Sequence, residues 1–425
     1  MITGARGTHA SSFGMEGTFM KEAEKNELKK LMDRVREISE EPKNLQKGMS
    51  WRTHTDYTTD KWRGTPKPRR SLPKAPITVE PEMPMWGLML GFKADKYYSD
   101  PVTYLKNLLK IMIYRYENWP EESGVATEIP IWLGVTLESS LFGARTLYED
   151  NEYPWIDREP LIKNESDLAK IKEPDFKKSG LMPLAHRFYE VIGGLAGDEY
   201  NVVFPEWGRG PFGVATHIRG YENFLSDMIS NPHFAHRILR LITDARKQWI
   251  KDRADFLNKS IGKGNIYDDE VNCPSLSPGL YEEFVLPYEI ELSDFHGGIL
   301  YFHSCGDTTK LIPSIAKIEN LEMFHVGPWT DVKTAMETFK GAVPLEICLH
   351  PLRDVQSATD DDMKRKLARI ASACDGSAFS VRADGLQKIG NLEEDMKKIE
   401  RWMGIANTIL KNNEALAPGG GYPIR

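Results

Sequence analysis

The stretch ILYFHSCGD, residues 299–307, ends an apolar run with His303 and Cys305 two positions apart. Side chains alternate across an extended strand, so an imidazole and a sulfur at that spacing share one face and can reach one ion. Thiolate and imidazole together suit zinc, and a catalytic zinc keeps one position open for water or substrate, so a third protein ligand is needed. Cys348, in VPLEICLHP, shares a face with Glu346 and His350 near the exit of another expected strand and is the expected third ligand. Glu270 and Asp384, at the ends of other strands, could add a carboxylate. Cys273 in EVNCPSLSP fits less well, and Cys374 continues the series Leu367, Ile370, Ala371 on a helix, where a small thiol packs. A lone His-x-Cys also fits two packed, hydrogen-bonded side chains.

From about residue 80 onward, short apolar runs alternate with longer amphipathic segments, the pattern of β/α units around a parallel sheet. The expected strands are PMWGLML, IPIWLGV, YNVVFPEW, GNIYDDE, ILYFHSC, EMFHVG, VPLEICLH and SAFSVRAD. Asp-Pro, Asn-Pro and Ser-Pro pairs before the helical segments place a capping residue ahead of a first-turn proline. Eight such strands imply a (β/α)8 TIM barrel, in which function gathers where strands end and βα loops begin. That rim carries Trp207 and Arg209, then Asp268, Asp269 and Glu270, then His303 and Cys305, His325, Cys348 and His350, and finally Arg382 and Asp384. Residues 1–75 read as an N-terminal arm on a barrel of residues 76–425. A charged helix expected over about 18–41 carries Leu28, Leu31, Met32, Val35 and Ile38 as a stripe that would dock on its own barrel or on a sister subunit, leaving a homo-oligomer possible.

A net charge of −7 and a pI near 5.9 disfavour nucleic acid and anionic membranes as partners. Four scattered cysteines do not form a secreted disulfide framework, and no apolar run approaches the ~20 residues that cross a bilayer. The polar start MITGARGTHASSFG lacks a secretory core. The expectation is a cytoplasmic protein.

The stretches PEWGRGPFGVATHIRGYENFLSDMISNPHFAHRILRLITD, YDDEVNCPSLSPGLYEEFVLPYE and FHSCGDTTKLIPSIAKI together resemble the uroporphyrinogen decarboxylase superfamily, which includes corrinoid-linked methyltransferases. The resemblance covers most of residues 200–400 and implies a single barrel. MPMWGLMLGF, taken as the first strand, lacks the arginines with which decarboxylases hold substrate carboxylates. The methyltransferase branch has the His-x-Cys-Gly pattern of His303, Cys305 and Gly306, with a later cysteine after the last strand; Gly385, beside Asp384, stands there instead. That departure moves the reading toward O-demethylase components. The implied function is transfer of a methyl group from a methylated substrate, best a methoxylated aromatic, to the reduced corrinoid of a separate corrinoid protein. Zinc on His303, Cys305 and Cys348 would activate the substrate, Asp269 or Glu270 would orient it or manage its proton, and Trp207, His325 and Asp384 would bind it. DFHGGI, residues 294–299, only begins like a corrinoid-binding signature, so the cobalt is expected from the partner. The alternatives are a uroporphyrinogen-type decarboxylase and a non-catalytic binding subunit.

Overall fold

The computed structural model describes residues 20–52 and 65–411. Eight strands form the barrel wall: β1 (Ile77–Pro81), β2 (Glu128–Pro130), β3 (Asn201–Val203), β4 (Gly264–Tyr267), β5 (Ile299–His303), β6 (Phe324–Val326), β7 (Leu345–Leu349) and β8 (Phe379–Leu386). Six pair in parallel in the order β1-β8-β7-β6-β5-β4, and β2 pairs in parallel with β3. The chain beyond β3 rejoins β4 through a parallel bridge between Arg209 and Tyr267. The fold is thus the expected (β/α)8 barrel, and β7 is buried at all five positions, as a parallel strand covered on both faces should be.

The seam between β1 and β2 is closed by side chains. Glu122 accepts from the amide of Ile77 at 2.8 Å and Glu121 from that of Val79 at 3.0 Å, satisfying edge donors that have no neighbouring strand. Arg115, on the helix α2 (Pro101–Asn118), bridges Glu121 at 2.9 Å and Glu80 at 3.2 Å.

Seven of the eight expected segments carry a strand, and the first does not. PMWGLML belongs to a helix, Met83–Leu90, started by Glu82 and Pro84 and stopped at Gly91 with φ 77°. An unbroken apolar run has no period by which to tell a buried strand from a buried helix. The true first strand is ITVEP, just upstream. The lack of arginine in MPMWGLMLGF therefore says nothing about strand β1. The capping expectations hold: Asp100, Asn231 and Ser277 each accept from a backbone amide in the first turn of the helix that follows.

The arm helix α1 (Glu22–Glu40) lies on the chain's own barrel. Leu28, Val35 and Ile38 are buried, Lys106 and Lys110 of α2 reach Glu27 at 2.6 and 3.2 Å, and Tyr200 donates to the Met32 carbonyl at 2.6 Å. Removing most of a fully buried aliphatic side chain leaves a cavity as well as a lost transfer free energy. Ile38→Ala should lower stability by about 2–4 kcal/mol, read as a lower denaturant midpoint with an unchanged slope.

Candidate functional site

A cavity of about 520 Å3 opens at the C-terminal ends of the strands. Its wall is aromatic and aliphatic, with Trp86, Tyr97, Tyr104, Trp132, Tyr153 and Trp155 among its lining, and its polar floor includes Tyr267, Asp269, His303, Arg382 and Asp384. Trp86 comes from the helix after β1 and Trp132 from the chain leaving β2, while Tyr153 and Trp155 belong to the long connection after β2. None of these aromatics was expected from the sequence. The signal was available, because a tryptophan stands just past each of the first two strands.

On the floor, the structure sorts the metal-capable side chains into two sets. The donor atoms of Asp269, His303 and Cys305 lie within 4.8 Å of one another, and so do those of His325, Cys348 and Asp384. His303 Nε2 is 3.1 Å from Cys305 Sγ and 3.2 Å from Asp269 Oδ1. Cys348, expected beside His303 and Cys305, instead stands 3.8 Å from Asp384 Oδ2. Asp269 joins His303 and Cys305 in the first set, and Cys348 is near enough to Cys305 to help raise its thiol.

The protonation of His303 follows from its neighbours. Tyr301 gives its hydroxyl proton to Glu346, so the contact of 3.2 Å between Tyr301 and His303 Nδ1 has the imidazole as donor. In the neutral ring the proton on Nδ1 leaves a lone pair on Nε2, facing a sulfur and a carboxylate oxygen, whereas the charged ring donates from Nε2 to Asp269. Three electron-rich atoms at this spacing repel unless a proton or a cation lies among them. Zinc bonds of about 2.0–2.3 Å place donors at comparable separations, so the donor set fits zinc in both chemistry and spacing. Cys305 is exposed as a residue, but its Sγ turns inward toward His303. Loss of hydration around that thiol and the negative charges of Asp269 and Asp384 push it well above its usual value. A bound cation would reverse this.

The three consecutive acids after β4 have three environments. Asp268 is fully buried, and burial, reinforced by Glu270 and Glu289, pushes it well above the usual carboxylate range. Asp269 is held low despite burial by a hydrogen bond and charge from His303 in its protonated form and by the charge of Arg209. Glu270 takes both oxygens to Arg209 Nη1 at 2.9 and 2.7 Å and lies 3.3 Å from His217, which hold it at about 2 despite burial. Close approach also explains GRGPFG: a Cβ at Gly210 would sit 2.1 Å from Asp268 Oδ2, and one at Gly213 would sit 2.7 Å from Glu270 Oε2.

Several expected residues have other places. Trp207 is 1% exposed, donates to the Arg209 carbonyl at 3.2 Å and packs on Phe142 and Trp249. It belongs to the core, not to the cavity wall. His325 lies below the first set, its ring centroid 4.0 Å from that of His303. His350 accepts from the Arg353 amide at 3.1 Å and packs against Trp329. Cys374 is fully buried in the core, as its helical series implied. Asp384 reaches Arg382 at 2.9 Å, and Arg382 lies 3.5 Å from Glu346, joining the floor to the group that orients His303.

Burial pushes the cavity carboxyl of Glu82 up to about 7, with Asp384 adding to the effect and a Tyr153 hydrogen bond opposing it. An unfolded glutamate titrates near ~4.3, so between that pH and about 7 the unfolded chain releases a proton that the folded chain keeps. Glu82 therefore makes stability fall as pH rises through this window. Glu82→Gln should remove that slope, so the variant should gain on the parent by about 2–3 kcal/mol between pH 4 and pH 8. Parallel stability curves for the two proteins would show that Glu82 keeps ordinary acidity.

Among the described residues no helix is long and apolar enough to cross a membrane. Residues 128–378 match the family described as uroporphyrinogen decarboxylase (URO-D). A methylated-thiol–coenzyme M methyltransferase of Methanosarcina mazei is 32% identical over 107 residues, 25% of this chain and 28% of that protein, so the chain spans little more than a quarter of that relative's length. A solved structure of a methyltransferase from Methanosarcina mazei superposes with a TM-score of 0.58 at 15% identity, covering 79% of this chain and 94% of that one, a likeness of fold. With more than half of its length matched, the chain belongs to the uroporphyrinogen decarboxylase (URO-D) family.

Proposed function

We propose that the protein is a methyltransferase that moves the methyl group of a small methylated substrate, best a methoxylated aromatic, to the reduced corrinoid of a separate corrinoid protein. The observation that carries this reading is that an aromatic-walled cavity of about 520 Å3 ends on a floor holding His303, Asp269 and Asp384, with Cys305 against His303. Such a wall matches a flat, apolar ring, and the floor offers a polar end for its oxygen. His303, Cys305 and Asp269 would hold zinc, with Cys348, His325 and Asp384 beside them. When bound there, zinc supplies Lewis acidity toward the substrate heteroatom.

The chain's own residues have separable tasks. Trp86, Trp132 and Tyr153 hold the ring and exclude water, while Tyr301 and Glu346 fix the orientation of His303. As the methyl–oxygen bond breaks, the methyl group passes to the corrinoid and the electron pair stays on oxygen. Glu82 retains a proton near neutral pH and can pass it from its carboxyl to that oxygen. The reading includes the division into an arm (1–75) and a barrel (76–425), and a cytoplasmic setting in which the four free cysteines stay reduced.

The decarboxylase reading calls for a basic cavity. The lining has three arginines, Arg115, Arg209 and Arg382, against six acids, Glu80, Glu82, Glu138, Glu206, Asp269 and Asp384. Each arginine is already paired with a carboxylate, so a polycarboxylate would meet net repulsion.

The test is anaerobic incubation with zinc, a reduced corrinoid protein and a panel of methoxylated aromatics, methanol, methylamines and methylthiols. Phenol release and a change in corrinoid absorbance are expected with the aromatics alone. His303→Ala should cut the rate by at least about 100-fold. Release of CO2 from a carboxylated substrate without any corrinoid would overturn the proposal.

A further inference from the structure

We propose that the barrel mouth is a two-ion centre: His325, Cys348 and Asp384 hold a second thiophilic divalent cation, zinc by preference, beside the one held by Asp269, His303 and Cys305. The first ion rests on the reading above; the second rests on geometry that does not depend on what reaction the site performs.

Three observations carry it. The second set has the same donor types as the first, one imidazole, one sulfur and one carboxylate, and its donor atoms also lie within 4.8 Å of one another. Three protein donors of mixed softness with a position to spare are what a reactive zinc site offers. Two of the three donors are also held from behind. His325 Nδ1 lies 2.9 Å from the Ser304 carbonyl, which can only accept, so the proton is on Nδ1 and Nε2 has the lone pair. Asp384 gives Oδ1 to Arg382 at 2.9 Å, while its Oδ2 lies toward Cys348. These are the supports that metal ligands need in order to keep their orientation. His303 has the equivalent support from Tyr301.

Charge gives the third observation. Arg209 is offset by Glu270, and Arg382 lies 3.5 Å from Glu346. The four carboxylates Asp269, Glu270, Glu346 and Asp384 outnumber Arg209 and Arg382 by two, an excess of negative charge that draws cations to the floor. One tetrahedral ion cannot use all six donors. The two imidazole rings stack at 4.0 Å with a tilt of 33°, one belonging to each set, so the sets stand side by side as in two-ion centres.

The experiment counts metal without measuring activity. Metal-free, reduced full-length protein is titrated anaerobically with Co2+, following sulfur-to-cobalt charge-transfer absorbance, and bound metal is then measured after desalting. Two equivalents per chain are expected, falling to one in Cys348→Ser and in His325→Gln, and to one also in Cys305→Ser. Circular dichroism melts establish that the variants are folded; should they not be, the wild-type count decides alone. Saturation of the wild type at one equivalent, or two equivalents retained in folded Cys348→Ser, overturns the proposal. A one-ion protein that still transfers methyl groups would sink this inference alone, and a two-ion protein inert toward every methyl donor would sink only the proposed function.

Discussion

The site depends on one electrostatic constraint: lone pairs on nitrogen, sulfur and oxygen have been brought to 3.1–3.2 Å around His303 Nε2. Such atoms repel unless a proton or a cation lies among them, and surrounding interactions hold each one in place. Tyr301 and Glu346 hold the ring, and the Cys305 amide, 3.1 Å from Asp269 Oδ1, holds the carboxylate. The barrel supplies this rigidity because these groups sit on β5, on β7 and just past β4, whose backbones are locked by parallel ladders.

A second consequence concerns buried charge. Asp268, Glu270, Arg209, Arg382 and Glu346 all lie at or near the floor, where an unpaired charge is costly. The chain answers by pairing each arginine with carboxylates, so the basic residues at the mouth are occupied and the cavity presents acids and aromatic faces. The site is therefore suited to electrophilic ions and apolar rings and poorly suited to anions. The same pairing at Arg115 closes the seam between β1 and β2, so part of the site's wall and that joint of the barrel share one ion-pair network.

Much of the architecture was readable in one dimension. Alternating apolar runs and capped amphipathic helices describe a barrel because the period of a side-chain pattern is a local property. The stripe of Leu28, Val35 and Ile38 likewise announced a docking face, though not its target; α2 of the same chain provides it. The misplaced first strand marks where the pattern runs out, since an all-apolar segment such as PMWGLML carries no period, and the end groups Glu82 and Gly91 decide in favour of helix.

At the site, the sequence by itself determined which chemistry was possible: a histidine and a cysteine two residues apart on a strand must face the same way, and residues at strand ends must gather at one rim. Only the tertiary structure decided the partners. Register between β7 and β8 sets Cys348 beside Arg382 and so near Asp384, and parallel pairing of β5 with β6 brings the ring of His325 against that of His303. Trp207 went to the core and Trp86, Trp132, Tyr153 and Trp155 to the wall because loop paths, not strand periods, choose which aromatic turns inward. Distances across a barrel depend on the stagger of strands far apart in the chain, and no local spacing records that stagger.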